Sequence, residues 1–536
     1  MKKNRPMLSI SILISKASDA VARCLKSLET IRKELTCELI LVYTGTEHSQ
    51  LLALEKEADC VIPFTWCDDF SKARNVGLEK ASGEWFLYLD DDEWIENPEA
   101  LIDFFQSGEY RRYGYANYIQ RNYYDPNYAN YTDSWVTRMV CLRTGVRFRS
   151  RIHEYFDPVY GEGKNLPMIA NHSGYIYETM EDRKKRFQRN VPLLQAMMEE
   201  EPDNIRWGTQ LAQECYAAEE WGMLTAVCRK ELGRRCHQTN PANMHMYGTY
   251  YAGMVHGLIG LGRYREAKQV AEAVMDKKEY GKLFTSCMHL SIAEACYHLR
   301  QWEQAKENIN RYFGERQAVL QDEKQYAIWQ EALIVDQTYD MISQKKAYSI
   351  RIGSCLECRQ LEAMGNDWRR LEWDQPTIYV FRPLLGAIVR TMLEGTFSDA
   401  MEPVWKCIWK NQKLYQATVE ETSRFLQDEK QWEKMLESYR AFRMQILKKT
   451  FKPEIIKEFP ELLPEAAQRA MKFSDEVTEQ RGKMNVQGTI NDFNAGMWQG
   501  YNYSVPGIHE TAFESAKGRT DSNRYRLQRG VTYQTA

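Results

Sequence analysis

The sequence predicts an α/β domain on a mostly parallel, Rossmann-like sheet, followed by an all-α array of helical repeats. Three observations carry this expectation. Strand-like and helix-like segments alternate over the first 110 residues, long amphipathic helices fill residues 181–450, and one apolar run ends abruptly in four carboxylates, Asp90, Asp91, Asp92 and Glu93. Strands alternating with helices imply a parallel sheet with helical crossovers. Ligands of such sheets bind beyond the carboxyl ends of the strands.

Each element follows from its local pattern. MLSISILIS is a β-branched apolar run and reads as the first strand; AVARCLKSLETI carries apolar residues at helical spacing. ELILVYTG is a second strand closed by Gly45, HSQLLALEKEA a second helix, and CVIPFTW a third strand. FSKARNVGLEKA is a helix ending before Gly83, and EWFLYLD is the fourth strand. Residues 111–180 are rich in tyrosine and arginine, with strand-like pieces WVTRMVCLRT and MIANHSGYIY.

Beyond residue 181, GLGRYREAKQVAEAVM and HLRQWEQAKENINRYF share an aromatic, two residues and an alanine; Tyr264 and Trp302 are 38 positions apart. LQDEKQWEKMLESYRAF resembles them again. A period in the thirties with a small residue at the helix crossing marks a helix-pair solenoid of the tetratricopeptide type. The expected regions are 1–180 (sheet domain), 181–450 (helical repeats) and 451–536 (a helical extension and an irregular tail). The tail is rich in Gly, Asn, Tyr and Arg and poor in aliphatics, so it builds no core of its own. Its Ser, Thr and Tyr groups allow a docking or self-modified segment, and Asn502-Tyr503-Ser504 matches a glycosylation acceptor that a cytosolic chain does not use.

Bulk numbers exclude several classes. The chain has 536 residues, 43% hydrophobic and 27% charged, with a net charge of −3, so nothing pulls it toward nucleic acid or anionic lipid. Thirteen cysteines without a regular framework fit free thiols in a reducing compartment, and the lone Cys355-x-x-Cys358 reads as a coincidence of spacing. No apolar stretch is long enough to span a bilayer. The short apolar run after the basic start reads as a strand rather than a signal peptide, which makes the expected location cytoplasmic.

The stretch WCDDFSKARNVGLEKASGEWFLYLDDDEWI, residues 66–95, carries the chemistry. It resembles family 2 glycosyltransferases of the GT-A fold, which carry W-x-x-DFS-x-ARN-x-G, then A-x-GEW, then a D-x-D-E turn. Trp66, Asp69, Phe70, Ser71, Ala73, Arg74, Asn75, Gly77, Gly83, Glu84, Trp85, Asp90, Asp92 and Glu93 match. RIHE at 151–154, HSGY at 172–175 and KRFQRN at 185–190 resemble later motifs of the family.

The resemblance implies an inverting transfer from a nucleotide-sugar donor, UDP-linked, with Mn²⁺ or Mg²⁺ neutralising the leaving diphosphate. Asp92 would contact the metal, with Asp90 facing the ribose or the metal's water shell, and His172 is a candidate third ligand. Tyr43, Thr44, Glu47, Asp69, Arg74, Asn75, Asp90 and Asp91 are the candidate donor-pocket residues. Arg74 either contacts the donor or pairs with Asp69. Glu154 and His153 are the candidate acceptor-side catalytic groups, with Asp133 and Asp157 as rivals for the base. Of the basic cluster Arg138, Arg143, Arg147, Arg149 and Arg151, one or two could reach the diphosphate; otherwise it is a solvated strand face.

VYTGTEH departs from the family's V-D-T-G-S-T-D by placing Tyr43 at the first aspartate, so stacking of Tyr43 on the base is the expectation there. No Q-x-x-R-W element of processive synthases is present. Similar architectures make a peptide or protein acceptor plausible beside a saccharide, with the helical repeats supplying an acceptor-binding or homodimerising surface. The competing expectation is a transferase-like domain without activity, serving as an interaction scaffold.

Overall fold

The computed structural model describes residues 5–487, apart from 124–125, 127, 129–130, 177–178, 235–243, 276–279, 321–332, 337–340, 394–398, 426–428 and 459. The irregular tail and Asn502 therefore lie outside the described residues. Two compact units are present, the first running to Ala218 and the second beginning at Glu219.

The first unit is organised by β1 (Leu8–Ile14), whose Leu8, Ile10, Ile12 and Ile14 are fully buried. β1 pairs in parallel with β2 (Cys37–Tyr43) and β4 (Trp85–Asp90), and β2 pairs with β3 (Cys60–Pro63). The segment expected as one helix after β1 is two, α1 (Asp19–Ser27) and α2 (Glu29–Glu34), broken at Leu28. α3 (His48–Leu54) and α4 (Phe70–Lys80) provide the next crossovers.

After the acidic turn come β5 (Glu93–Ile95), α5 (Glu99–Gln106), β6 (Tyr115–Tyr123), β7 (Tyr131–Cys141), β8 (Arg147–Arg149), β9 (Tyr155–Asp157) and β10 (Gly163–His172). The eight-stranded sheet has the order β3-β2-β1-β4-β7-β6-β10-β5. β7 runs antiparallel to β4 and β6, and β10 is parallel to β6. The carboxyl ends of β4, β6 and β10 therefore share one edge. β10 stops at His172, so the expected strand MIANHSGYIY is cut short by the turn at Gly174 and Tyr175. The parallel sheet with helical crossovers is the fold class that the sequence predicts.

The two faces of the sheet pack differently. Aliphatic residues of β1, β2 and β4 form the main core with α1 and α5. On a smaller second core, Leu78 of α4, Phe86 and Tyr88 of β4, Val140 of β7, and Phe148 and Phe156 come together. Phe148 and Phe156 belong to the separate two-stranded ribbon β8–β9. Their rings meet each other at 4.5 Å and Tyr88 at 4.9 and 5.5 Å. Burying a phenylalanine contributes roughly 1.5–3 kcal/mol, so this cluster fixes the ribbon, and with it the residues between β8 and β9, against the end of β4.

α6 (Met180–Glu200) and α7 (Ile205–Ala217) complete this unit. Thr179 caps α6 by accepting from the Asp182 N–H at 3.3 Å. The KRFQRN segment lies on α6, where Asn190 Nδ2 donates to Glu214 Oε1 of α7 at 2.8 Å.

In the second unit, paired helices follow one another: Met244–Gly260 and Tyr264–Met275, Gly281–His298 and Trp302–Leu320, Met341–Glu357 and Leu361–Arg370. The expected crossing residues Ala267 and Ala305 are fully buried. Both repeat aromatics pack on the end of the helix Gly281–His298, Tyr264 stacking on His298 at 4.2 Å and Trp302 meeting Tyr297 at 5.1 Å. Ala470, Phe473 and Val477 of helix Glu465–Gln487 share one core with Trp368, Trp405 and Tyr439. Among the described residues, all cysteines are free thiols and no helix is long and apolar enough to cross a membrane.

Candidate functional site

β4 ends at Asp90, the first of the four carboxylates. Arg74 of α4 donates from Nη2 to Asp90 Oδ1 and from Nε to Glu154 Oε1. Arg138 of β7 donates from Nη2 to Asp90 Oδ2 at 2.8 Å and to Glu93 Oε1 at 3.4 Å. Both guanidinium groups lie over the Tyr88 ring, at 4.6 and 4.5 Å from its centre. Glu93 is fully buried; Gln120 donates to its Oε1, and its Oε2 accepts the Asp90 N–H at 2.9 Å. Carboxylates drawn out of water are tolerated only when paired and hydrogen-bonded, and two arginines here serve buried Glu93 and half-buried Asp90 and Glu154.

The electrostatics sort these carboxylates. Burial pushes the Asp90 carboxyl up, but Arg138 and then Arg74 overturn that and hold it well below the usual range. Burial dominates at Glu93 and raises it, against Arg138. Asp91 is pushed up to about 7, first by burial and then by the charges of Asp92 and Asp90.

Asp92 faces the other way. Its Oδ1 lies 3.3 Å from His172 Nε2, and the opposite ring nitrogen, Nδ1, meets Asn122 Oδ1 at 2.6 Å. Burial lowers the His172 basicity, but the hydrogen bond and charge of Asp92 prevail and raise it. Gly174 approaches this pair so closely that a Cβ there would stand 2.4 Å from His172 Nε2 and 2.6 Å from Asp92 Oδ2. The absence of a side chain at Gly174 leaves a cradle between one carboxylate and one imidazole. The donor set fits a divalent cation that takes one or two protein ligands and completes its shell from a substrate diphosphate and water. Asp90 does not fit as a further ligand, because both its oxygens accept from guanidinium groups. Among the described residues no group of three or more His, Cys, Asp and Glu side chains is arranged to hold a metal.

The structure gives several predicted residues other roles. Tyr43 is 3% exposed in the main core, and its hydroxyl bonds the backbone of Glu47, so its ring is not presented for stacking. Thr44 Oγ1 donates to Ile14 O at 3.3 Å, and Glu47 Oε2 accepts from Gln50 at 2.7 Å. Asp69 caps α4, accepting from the Lys72 N–H at 3.0 Å and Ser71 Oγ at 2.8 Å, and Arg74 pairs with Asp90 and Glu154 instead of Asp69. Asn75 bridges the Phe148 backbone, donating to its carbonyl at 3.1 Å and accepting its N–H at 2.8 Å.

The acceptor-side candidates separate as well. Asp133 is held by Arg121 through two bonds of 2.8 Å, and Asp157 pairs with Arg149 at 3.3 Å. Glu154 alone of the three joins the cluster at Asp90. His153 does not: its Nε2 is buried without a partner among the described residues, and burial lowers its basicity to about 4, so it holds no proton at neutral pH. Of the five clustered arginines, Arg138 reaches the carboxylates, while Arg149 and Arg151 pair with Asp157 and Glu200.

Sequence reasoning passed over Gln120, Asn122, Gly174 and Tyr88. Asn122 and Gln120 alternate with half-buried positions on β6, and this inward polar phase of a strand was the available signal. A further group, Arg23, lies 3.6 Å over Trp94 and donates to Ser173 Oγ at 3.3 Å; nothing in the sequence joins those positions.

Residues 9–154 match the model of glycosyl transferase family 2. The chain is 25% identical over 220 residues, 38% of its length and 48% of the relative's, to the SPbeta prophage-derived glycosyltransferase SunS of Bacillus subtilis. It is 30% identical over 163 residues, 28% of its length and 35% of the relative's, to a TPR repeat-containing protein of Synechococcus elongatus. It thus spans half or less of the length of these curated relatives. A solved structure of S. aureus TarS, residues 1–349, aligns at 13% identity over 55% of this chain and 91% of that one, with a TM-score of 0.25. In residues 9–154, then, this chain carries a domain of glycosyl transferase family 2.

Proposed function

We propose that this chain is an inverting glycosyltransferase that moves a sugar from a nucleotide-sugar donor, UDP-linked, to a peptide or protein acceptor. The observation that supports it is the meeting of Glu154 and the Asp92–His172 pair at one sheet edge: Glu154 is joined through Arg74 to Asp90, two residues from Asp92. The family match over residues 9–154 supports the transfer chemistry.

Asp92 and His172 would hold Mn²⁺ or Mg²⁺, which when bound neutralises the diphosphate as it leaves. Asn122 fixes the ring orientation of His172, so that Nε2 faces Asp92. Glu154 takes the proton of the acceptor nucleophile while the bond to the sugar's anomeric carbon forms and the bond to the diphosphate breaks. Asp90 and Glu93, neutralised by Arg74 and Arg138, hold the geometry of the turn.

The test is calorimetry and donor hydrolysis with the full chain and a panel of UDP-, GDP- and dTDP-sugars, with Mn²⁺ present and removed by chelator. Binding of one donor class, strengthened by Mn²⁺, is the expected result. Binding without turnover toward any sugar or peptide acceptor favours the scaffold reading, and no binding at all ends the proposal.

A further inference from the structure

We propose that Arg74 is a positioning residue for Glu154, and that Asp90 serves as its anchor rather than as a cation ligand; this rests on reading Glu154 as the acceptor-side base.

Glu154 belongs to the irregular link between β8 and β9, directly after His153, whose φ is 53°. A link of this kind does not hold a carboxylate in place by backbone pairing. α4 does so instead, and at three points on the same short ribbon. The Phe70 N–H at the start of the helix donates to Arg151 O at 2.8 Å. Arg74, one turn later, bonds Glu154. Asn75 bonds both backbone groups of Phe148. Phe70 and Arg74, at i and i+4, lie on one helical face, and with the bonds of the adjacent Asn75 the FSKARN segment docks the ribbon. Leu78, one further turn along, joins Phe148 and Phe156 in the second core.

The Arg74 side chain is 7% exposed and that of Glu154 10%, which leaves little room for a donor phosphate between them. A guanidinium is a rigid fork that can serve two carboxylates at once. Here Nε takes Glu154 and Nη2 takes Asp90, so the position of the base is set by the end of β4. Arg138 occupies the other oxygen of Asp90. Asp90 thereby converts the rigid end of a central strand into a fixed point for a loop carboxylate.

The experiment compares Arg74→Gln, Arg74→Lys, Asp90→Asn and Asp92→Asn in the full chain, with Glu154→Gln as reference. Displacing a catalytic group by an ångström costs about a hundredfold in rate. Arg74→Gln and Asp90→Asn are expected to lower kcat by about that factor while donor KM, and Mn²⁺ affinity in the presence of UDP, change less than about twofold. Arg74→Lys, which keeps the charge, recovers part of the rate. Asp92→Asn weakens Mn²⁺ binding instead. Tenfold weaker Mn²⁺ or donor binding in Arg74→Gln or Asp90→Asn, with kcat kept, overturns the proposal. If Glu154→Gln turns over normally, it is the base assignment that fails. The pairing is read without activity by melting Arg74→Gln, Glu154→Gln and the double variant. The double variant is expected to melt above Arg74→Gln alone, since Glu154 is then no longer left as an unpaired carboxylate while Asp90 keeps Arg138 in both, and strict additivity overturns the pairing.

Discussion

Charge is buried in both compact units, but by different rules. In the helical unit some of the pairs are one to one: Arg351 holds Asp367 through two bonds of 2.7 and 2.6 Å and Lys345 holds Asp374 at 2.7 Å, while Arg382 serves both Glu420 and Glu421. At the end of β4, Arg74 and Arg138 share three carboxylates, and Asp91 and Asp92 follow in the same turn. Matched pairs close a helix crossing and need nothing more. A surplus of carboxylates at a sheet edge is repulsive until a cation enters, which is why it marks a site.

The comparison breaks most sharply at Glu154. Changing it to Gln is expected to reduce transfer by roughly a thousandfold, the range of a lost general base. Asp133→Asn and Asp157→Asn, rivals by sequence alone, are expected to stay within about threefold, because each is engaged by its own arginine away from Asp90. Initial rates of the three variants with one donor and one acceptor decide it. A large loss in Asp133→Asn would move the base to β7.

Next in size is the cation cradle. His172→Ala or Gly174→Ala is expected to weaken Mn²⁺ binding by about 10- to 100-fold, the first by removing a ligand and the second by filling the space between Asp92 and His172 with a methyl group. Calorimetric titration of Mn²⁺ in the presence of UDP measures it. Unchanged affinity in both variants would place the cation elsewhere.

The third effect concerns stability and pH. Burial lowers the His153 basicity from the ordinary value near 6.5 to about 4. Above pH 6.5 the ring is neutral in both states. Between 6.5 and about 4 the unfolded chain binds a proton that the folded chain does not, so stability falls as pH falls, by roughly 1 kcal/mol per pH unit. His153→Asn keeps a residue that tolerates the positive φ and removes the titration. Urea melts at pH 4.5, 5.5 and 6.5 are expected to show a shallower acid decline in the variant; parallel curves would mean that His153 is already protonated in the fold.

Much of this was legible in the sequence because it is local. The alternation of segments gave the parallel sheet, and the step from LYL to four carboxylates placed the site at a strand end. The roles of Tyr43, Asp69 and Asn75 were not legible. Each is a polar group whose partner is backbone: Tyr43 bonds its own loop, Asp69 caps its own helix, and Asn75 bonds a strand 73 positions away. A motif records that such a residue is required without saying whether a ligand or the chain requires it. Arg138 was hidden among similar arginines because strand phase, rather than composition, turns it inward. Glu154 could not be separated from Asp133 and Asp157, since the tertiary packing of Phe148 and Phe156 and the bonds from α4 decide which acid reaches β4.

The smallest effect sharpens the comparison from the helical side, where turns rather than charges repeat. Gly262, Arg300 and Arg359 each stand two positions before the next helix, with φ of 73°, 59° and 59°. Each is followed by the same bond, from Arg263 N–H to Leu258 O, Gln301 N–H to Cys296 O and Gln360 N–H to Cys355 O, all 2.8 Å. This left-handed helix end favours glycine, and two of the three turns carry an exposed arginine there instead. A Cβ on Gly262 would meet nothing within 4 Å, so the cost of a side chain at these turns is one of backbone conformation alone. Gly262→Ala is expected to destabilise the helical unit by about 1 kcal/mol. Arg300→Gly and Arg359→Gly are expected to stabilise it by up to about that amount, less what the freer glycine loses on folding. Denaturant midpoints at constant slope measure all three. If the arginine turns lose stability on gaining glycine, their side chains hold the repeats together, and the helical unit too would depend on charge at its turns.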